Sequence, residues 1–349
     1  MVVIHLNVLG LDIGGVNTKV AAVRLENKTD IEILEVKSSY LPFWLEKERL
    51  IEVLLKIKED TKDLTIDTVG MTMTAELSDC FRTKREGVTW IAQTVERIFP
   101  GTYFLDLAGG IQKIKEVLKA PESFAASNWL ATALFIGNQF PTCLLIDTGS
   151  TTTDIVPIHV GIPNPIGKTD LERLCSGELV YTGALRTNVA CIVSEIPLRR
   201  KTATVASELF STSGDVHLIL GNIERSEFIC ETADGRPATV QLAMERLARV
   251  VCADMETLTP EDIKRIAVFV YKKQLKQIEK GISQVTSRLD MRCPVVVTGL
   301  GSTFLGAPAA KNHGFDHIID LSDIIGVDAS KASSAVATAA IVGWQIMND

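Results

Sequence analysis

Long apolar stretches are absent from this sequence of 349 residues. No uninterrupted apolar run reaches the roughly 18 residues that a membrane-spanning helix needs, and residues 1–15 lack the basic leader of a signal peptide. An excess of positive charge is missing as well, because 36 Lys and Arg stand against 43 Asp and Glu, a net charge of −7. We therefore expect a cytoplasmic protein with no membrane or nucleic-acid partner. Whether it forms a homo-oligomer is left open.

Paired cysteines are also absent. The seven cysteines are scattered along the chain, and no C-x-x-C motif brings two of them together. Such a set predicts reduced thiols, many of them buried, rather than a disulfide framework or a local zinc site. A chain of this length can bury a large core, so neither a disulfide nor a metal is needed for folding.

What the sequence does contain is a long alternation of strand and helix patterns, which favours an α/β fold with helices covering a mixed sheet. The length suggests about two domains. The predicted strands lie in residues 8–23 (two strands around a glycine turn), 31–36, 68–74, 103–107, 144–146, 154–159 and 295–297. The predicted helices lie in residues 46–58, 88–99, 123–136, 237–252, 260–289 and 333–347. The fifth helix has a strong start signal, a threonine cap at Thr259 followed by Pro260.

The most informative feature is an internal repeat. Residues 9–19 (Leu-Gly-Leu-Asp-Ile-Gly-Gly-Val-Asn-Thr-Lys) can be laid over residues 144–154 (Leu-Leu-Ile-Asp-Thr-Gly-Ser-Thr-Thr-Thr-Asp). Both copies follow an apolar strand and precede a β-branched one. In this alignment Asp12 falls on Asp147, Gly14 on Gly149, Thr18 on Thr153 and Lys19 on Asp154. The alternative, two ordinary hairpins with glycine turns, is less favoured because the pattern occurs twice.

Such a repeat has the chemistry to bind phosphate. Glycine lets the backbone come close to a ligand, successive N–H groups can form an anion-binding nest, and aspartates can hold Mg²⁺ against phosphate oxygens. Two such hairpins facing one another would hold a polyphosphate. The candidate metal ligands are Asp12, Asp147 and Asp154, the candidate backbone donors are Gly14, Gly15, Gly149 and Ser150, and the candidate side-chain contacts are Thr18, Lys19, Thr148, Thr151, Thr152 and Thr153.

These residues carry a family resemblance. The two hairpins and residues 295–301 resemble the phosphate-1, phosphate-2 and adenosine segments of the actin/sugar-kinase/Hsp70 superfamily. Residues 147–154 are similar to the hydantoinase/oxoprolinase branch in particular. The resemblance implies a two-lobed α/β, ribonuclease H-like ATPase fold, with residues 127–137 and 333–344 as its connecting helices. Lobe I is then expected at residues 1–137 plus 330–349, and lobe II at residues 138–329.

Residues 71–79 and 177–187 make the chain similar to a smaller group of this branch, the tetrahydromethanopterin-linked one-carbon transfer pathway family. This resemblance implies a transferase of methanofuran biosynthesis. It would condense (5-aminomethylfuran-3-yl)methyl diphosphate with γ-glutamyltyramine, forming an aryl–alkyl ether and releasing diphosphate. The implied cofactor is Mg²⁺ or another divalent cation, and ATP is not expected.

The third glycine loop departs from the superfamily pattern. Nucleotide-binding members carry two adjacent glycines after this strand, whereas here Leu300 separates Gly299 from Gly301. The departure puts adenosine recognition in doubt more than phosphate recognition. It favours a diphosphate ester other than ATP, and Gly299 and Gly301 are predicted to contact that diphosphate.

Three candidates lie outside the glycine loops. Glu76 or Asp79 could take the phenol proton, since an acidic pair beside a strand end is well placed to act as a base. The alternative for this pair is a solvated turn or a helix cap. Arg186 could bind a phosphate or the glutamyl carboxylate with two hydrogen bonds; its alternative is a structural ion pair.

Two other functions would use the same hairpins. In an ATP-dependent small-molecule kinase or a hydantoinase/oxoprolinase-type hydrolase, Asp147 or Asp154 would activate a hydroxyl group or a water molecule. A nucleotide-gated, actin-like scaffold would instead form filaments without turning over a substrate.

Overall fold

The computed structural model describes residues 5–27, 30–288 and 293–348. The chain divides into two compact units. The first comprises the chain up to Cys143, residues Val156–Glu172 and the chain from Leu321 onwards, and the second comprises Leu144–Ile155 and Arg173–Asp320. Residues 138–143, 156–172 and 321–329, which were predicted to lie in lobe II, thus belong to the first unit. The lobe boundaries themselves remain a prediction.

The strands are β1 (Leu6–Ile13), β2 (Asn17–Leu25), β3 (Ile31–Tyr40), β4 (Thr68–Met73), β5 (Tyr103–Leu105), β6 (Ile111–Gln112), β7 (Cys143–Thr148), β8 (Thr153–His159), β9 (Ile162–Pro163), β10 (Leu179–Val180), β11 (Glu195–Leu198), β12 (Lys201–Thr204), β13 (Val295–Thr298) and β14 (Ile318–Asp320).

The helices are α1 (Phe43–Glu46), α2 (Leu50–Asp60), α3 (Lys84–Ile98), α4 (Ile114–Lys119), α5 (Asn128–Gln139), α6 (Asp170–Ser176), α7 (Val189–Ile192), α8 (Ser213–Leu220), α9 (Val240–Arg249), α10 (Pro260–Thr286), α11 (Ala307–His313), α12 (Ser322–Ile325), α13 (Val327–Lys331) and α14 (Ser333–Ile346). Within the described ranges, no helix is at once long and apolar enough to cross a membrane.

The first unit is built on a sheet with the strand order β3-β2-β1-β4-β5-β6. β1 is antiparallel to β2 and parallel to β4, so the carboxyl ends of β1 and β4 lie at the same edge. The small-residue helix α14 packs directly on β1. This close packing requires a glycine at position 10, because a Cβ atom there would lie 2.0 Å from the carbonyl oxygen of Ala335.

The sheet of the second unit has the order β10-β8-β7-β13-β14, and β13 is parallel to both β7 and β14. β11 and β12 form a separate two-stranded sheet. The short strand β9 pairs with β8 off this path. When β9 is left out and the strands are numbered in chain order from β7, their order in the sheet is 3-2-1-4-5, which is also the order of β1 to β5 in the first unit. The repeat seen in the sequence is therefore a repeat of topology, and each glycine turn joins the first two strands of its sheet.

Most predicted helices are present with shifted ends. α3 begins at Lys84, earlier than expected, because the Thr83 side chain accepts a hydrogen bond from the Glu86 amide (3.1 Å) and caps the helix. α10 starts at Pro260 as predicted, but its last residue is Thr286, and Leu289 lies outside the described residues. α9 is shorter at both ends than residues 237–252.

The prediction for residues 123–136 was wrong at both ends. Residues Pro121–Phe124 form a 3₁₀ turn, and α5 begins only at Asn128. The helix then continues through Gly137, where the sequence suggested a stop. Gly137 serves packing instead, since a Cβ atom there would lie 2.4 Å from the carbonyl oxygen of Gly161.

The cysteines are less buried than expected. Cys143 is buried, whereas Cys175, Cys191 and Cys252 are exposed. The prediction that many of the thiols are buried was therefore wrong.

Candidate functional site

The two glycine turns, residues 14–17 and 149–152, share one geometry, and we call them the first turn and the second turn. The amide of Gly14 donates to the carbonyl oxygen of Asn17 (3.0 Å), and the amide of Gly149 donates to that of Thr152 (2.9 Å). Both glycine amides are predicted from the sequence to bind a ligand. The structure corrects this, because these two N–H groups close the turns.

In the second turn, the carbonyl oxygens are held from behind by a later segment. The carbonyl of Gly149 accepts from the Ala184 amide (2.9 Å), and the carbonyl of Ser150 accepts from the amides of Leu185 (2.9 Å) and Arg186 (3.1 Å). Among the described residues, no backbone acceptor binds the amide of Ser150. With the carbonyls of Gly149 and Ser150 occupied and the amide of Ser150 available, the second turn has the polarity of an anion-binding nest.

The first turn is held in the same way. The carbonyl of Gly15 accepts from the Phe43 amide (3.0 Å), and the carbonyl of Val16 accepts from the Leu41 amide (2.7 Å). The supporting segment follows β3 here, just as residues 184–186 follow β10 in the second unit. The likeness of the two turns thus extends to the segment that supports each of them.

The glycines at positions 15 and 149 are not required by the fold. A Cβ atom on Gly15 would come no closer than 3.6 Å to a neighbour, the hydroxyl oxygen of Ser78. On Gly149 the nearest atom would be the carbonyl oxygen of Thr152, at 3.7 Å. These are ordinary contact distances, so the missing side chains leave room for a ligand to approach the backbone.

Gly183 supports the second turn by close contact. A Cβ atom there would lie 2.6 Å from the backbone nitrogen of Thr151. The guanidinium Nη1 of Arg186 donates to the hydroxyl oxygen of Thr151 (3.4 Å). The segment at residues 177–187, which carried part of the family resemblance, is therefore the one that shapes the second turn and brings Arg186 to it.

A buried polar network fixes this segment, and the sequence analysis missed it. The amide Nε2 of Gln274 donates to the carbonyl of Gly183 (2.8 Å), and its Oε1 lies 3.0 Å from Nε2 of His217. Burial lowers the pKa of His217 to about 4, so the imidazole is neutral near pH 7. The available signal was Gln274 itself, a polar residue between Val270 and Ile278 on the buried face of α10.

Asp12 is buried at the end of β1. Its Oδ2 accepts from the Ser334 hydroxyl (2.5 Å), while its Oδ1 is buried with no hydrogen-bond partner in the part of the chain that the structure describes. Burial raises the pKa of the Asp12 carboxyl above its usual value. The charge of Lys19, its cross-strand neighbour, and the hydrogen bond from Ser334 partly offset this rise. One carboxylate oxygen therefore remains available to a cation or a proton.

The other two aspartates differ from each other. Asp147 is half-buried at the end of β7. Asp154 forms an ion pair with the fully buried Arg173 (Nη1 to Oδ1, 2.9 Å), which also donates to the Glu178 carbonyl. Because this pair is part of the second unit's interior, Asp154 is not proposed as a metal ligand or as a catalytic residue.

The threonines of the turns also divide into two groups. Thr18, Thr148 and Thr153 are fully buried, and the hydroxyl of Thr153 donates to the carbonyl of Thr182 (2.8 Å). Thr151 and Thr152 are half-exposed, as are Ser150 and Lys19. Only this second group presents side chains that a ligand could reach.

The third glycine loop packs against the second turn's strand. A Cβ atom on Gly299 would lie 2.5 Å from the carbonyl oxygen of Thr148, and one on Gly301 would lie 2.5 Å from its Cγ2. Both glycines are buried. Their lack of side chains is explained by this packing, so the structure gives no support to diphosphate contacts at Gly299 and Gly301.

Glu76 and Asp79, the predicted acidic pair, have opposite surroundings. Asp79 is exposed, whereas Glu76 is 1% exposed and its Oε2 has no hydrogen-bond partner among the described residues. Burial, together with the charge of Asp170, raises the pKa of Glu76 to about 7, against smaller lowering effects that include Lys84. Such a carboxylate exchanges its proton near neutral pH, as a general base must.

The segment that carries Glu76 is attached to the first turn. The amides of Thr74 and Ala75 both donate to the carbonyl of Ile13, at 2.9 and 3.1 Å. In addition, the hydroxyl of Ser78 is the neighbour of Gly15 described above. Glu76 therefore belongs to the same edge of the first unit's sheet as Asp12 and the first turn.

No group of three or more His, Cys, Asp and Glu side chains within residues 5–27, 30–288 and 293–348 could hold a metal ion. Mg²⁺ does not need such a group, because it is commonly bound through one or two carboxylates, water and the phosphates of a substrate. The unpartnered buried oxygen of Asp12 fits that mode of binding.

Comparison with known proteins decides the family. A model of the hydantoinase/oxoprolinase family matches residues 67–340. The chain belongs to this family. Two curated relatives in the comparison carry the name (4-{4-[2-(γ-L-glutamylamino)ethyl]phenoxymethyl}furan-2-yl)methanamine synthase. The Methanocaldococcus jannaschii protein is 36% identical over 341 residues, 97% of this chain and 98% of its own length. The Methanococcus vannielii protein is 33% identical over 203 residues, 57% of this chain and 90% of its own length.

A solved structure supports the fold. The nucleotide-free structure of acetone carboxylase, an enzyme of ATP-dependent acetone carboxylation, superposes with a TM-score of 0.58 at 10% identity, covering 96% of this chain and 70% of that one. Together with the duplicated strand order, this likeness confirms the predicted actin/sugar-kinase/Hsp70-like α/β fold for this member of the hydantoinase/oxoprolinase family.

Proposed function

We propose that this protein condenses (5-aminomethylfuran-3-yl)methyl diphosphate with γ-glutamyltyramine, forming the aryl–alkyl ether and releasing diphosphate in methanofuran biosynthesis. The observation that carries the proposal is the 36% identity, over nearly the full length of both chains, to a synthase named for that ether. The substrates are small molecules, and the protein acts in the cytoplasm without ATP.

The second turn is proposed to bind the diphosphate of the donor. The turn itself supplies the amide of Ser150 and the hydroxyl groups of Ser150, Thr151 and Thr152. The guanidinium of Arg186 contacts the turn through the Thr151 hydroxyl. Hydrogen bonds from the cationic guanidinium of Arg186 and from preorganised N–H groups are strongest toward a developing negative charge. They therefore favour departure of diphosphate with the electron pair of the C–O bond.

The rest of the reaction asks little covalent chemistry of the protein. The electron-rich furan stabilises the positive charge left on the exocyclic carbon, and the phenol oxygen of the acceptor then bonds to that carbon. The phenol proton must go to a base, and we assign it to Glu76, whose pKa of about 7 and unpartnered oxygen suit that role. Asp79 is exposed and is not assigned a role.

A divalent cation, Mg²⁺ in the first instance, would supply further neutralisation of the diphosphate charge. Two carboxylates are proposed as candidate ligands for a cation, each within its own unit. They are Asp12 of the first unit, with its unpartnered buried oxygen, and Asp147, at the equivalent strand end of the second unit. Lys19, half-buried beside Asp12 on β2, is proposed to contact phosphate oxygens.

The decisive experiment mixes the purified protein with the furan diphosphate, γ-glutamyltyramine and Mg²⁺ and detects the ether and diphosphate by mass spectrometry.

Gly149→Ala tests the diphosphate site, since the fold has room for the added methyl group. We expect it to raise the KM for the donor at least about 10-fold with an unchanged urea midpoint. Absence of ether with the unaltered protein would overturn the proposal, and phosphate release from ATP stimulated by a hydantoin or a polyol would favour the hydrolase or kinase instead.

A further inference from the structure

The second unit contains a cavity of about 380 Å³ that the reaction described above does not use. Arg225, Arg236 and Glu231 line it, together with Phe228, Cys230 and Pro237. It thus combines two guanidinium groups and one carboxylate with an apolar part.

The charges of this cavity are incompletely paired. Arg225 and Glu231 are exposed at its rim, and neither forms an ion pair with any described residue. Arg236 pairs through Nε with Asp234 (2.7 Å) and through Nη1 with Glu245 (2.8 Å), but its Nη2 is buried and has no hydrogen-bond partner in the described part of the chain. A buried donor without a partner carries a free-energy penalty that a bound anion would remove.

The pairing that is missing is the one that an α-amino acid supplies. A carboxylate is bound best by the planar fork of arginine, and an ammonium group by a carboxylate. In this cavity Arg225 and Arg236 could bind the carboxylate, and Glu231 could bind the ammonium group. An ordinary phosphate or a lone dicarboxylate would leave Glu231 facing a like charge.

A chain of contacts connects the cavity to the second turn. Phe228 lines the cavity and packs on Gly214, because a Cβ atom on Gly214 would lie 2.6 Å from the Phe228 ring. The same Cβ atom would lie 3.0 Å from the carbonyl oxygen of Leu185. The amide of Leu185 in turn donates to the carbonyl of Ser150 in the second turn. A ligand in the cavity is therefore a neighbour of the segment that shapes the proposed diphosphate site.

We propose that this cavity binds the α-amino-acid end of the acceptor, with Arg225 and Arg236 on the α-carboxylate and Glu231 on the α-ammonium group. The inference rests on the proposed function for the identity of the acceptor, a γ-glutamyl amide whose α-amino acid group is free. This assignment makes Arg225 and Glu231 determinants of acceptor specificity, since tyramine without its glutamyl group has no carboxylate for the two arginines to bind.

The test is binding of γ-glutamyltyramine and of tyramine, measured by titration calorimetry with inorganic diphosphate and Mg²⁺ present. Arg225→Gln is expected to weaken γ-glutamyltyramine binding about 10- to 100-fold, the range for loss of a hydrogen bond to a charged group. The affinity of the Arg225→Gln variant for tyramine and its KM for the furan diphosphate should equal those of the unaltered protein. Arg225→Lys keeps the charge but not the fork and should recover part of the affinity.

Arg200→Gln is the matched control, because Arg200 is an exposed arginine of the same unit outside the cavity. Urea midpoints of all variants check that each is folded. No binding of γ-glutamyltyramine by the unaltered protein, or equal affinity of the Arg225→Gln variant, overturns the inference. If binding depends on Arg225 but the unaltered protein forms no ether, the proposed function fails while the γ-glutamyl site stands. If ether forms and the Arg225→Gln variant has an unchanged KM for the acceptor, the proposed function stands and the γ-glutamyl site fails.

Discussion

Replacing Glu76 by glutamine is expected to stabilise the protein above pH 7 and to remove most of its activity. The side chain is buried, and one of its carboxylate oxygens has no hydrogen-bond partner among the described residues. Burial disfavours the charged form, so the folded protein holds the proton of Glu76 to a higher pH than the unfolded chain does. Glutamine has the same shape and never ionises.

The size of the effect follows from the two pKa values. The pKa is 4.5 in the unfolded chain and about 7 in the folded protein, and each pH unit between them corresponds to about 1.36 kcal/mol. Because the folded-state pKa is raised, the stability contributed by the protonated side chain is complete below pH 4.5 and is lost as the pH rises to about 7. The glutamine variant should therefore gain about 3 kcal/mol relative to the unaltered protein between pH 4 and pH 8.

The assay is equilibrium urea unfolding at 25 °C from pH 4 to pH 8.5, comparing the two proteins at each pH. Asp79→Asn, which removes an exposed carboxylate three residues away, is the control, and its difference should stay within about 0.5 kcal/mol. Turnover by the unaltered protein should rise with pH through about 7, as Glu76 loses its proton, and Glu76→Gln should lower kcat about 10²- to 10⁴-fold. A stability difference that is flat with pH would refute the burial argument, and unchanged turnover would remove Glu76 as the base.

Three further changes test interactions that stabilise the second unit, by urea unfolding. Arg246→Met leaves the fully buried Asp215 without its 2.6 Å partner and should cost about 3–5 kcal/mol; a loss under 1 kcal/mol would mean that water reaches the pair. Thr259→Ala removes the cap of α10 and should cost about 1 kcal/mol, and no loss would show that the capping bond is not formed in solution. Gly301→Ala drives a methyl group against Thr148 and should cost about 1–3 kcal/mol, whereas a neutral result would reopen Gly301 as a ligand contact.

Local signals account for the parts of the fold that the sequence predicted well. The hairpin around the first turn depends on neighbours a few residues apart, and so does the start of α10, where Thr259 caps the amide of Asp262. Such hydrogen bonds are encoded in a short window of sequence. The end of α5 was mispredicted because Gly137 is required by Gly161, which lies in a later hairpin and leaves no local mark.

The candidate site shows the same division. The repeat pointed correctly to two turns of like geometry, but it could not tell which of their groups are free. Asp154 is paired with Arg173, 19 residues away, and the Thr153 hydroxyl is bound to Thr182, 29 residues away. Glu76 and Asp79 look equivalent in the sequence, yet one is buried and the other exposed.

From the sequence alone came the family, the duplicated strand–turn–strand units and the residue types suited to holding a diphosphate, because short-range spacing and composition encode them. Tertiary structure decided which amides, hydroxyls and carboxylates remain available, and it alone revealed the Gln274–His217 support and the Arg225 cavity. The physical reason is that a polar group's availability depends on its solvation and its partners. Both are set by segments far away along the chain, which only folding brings together.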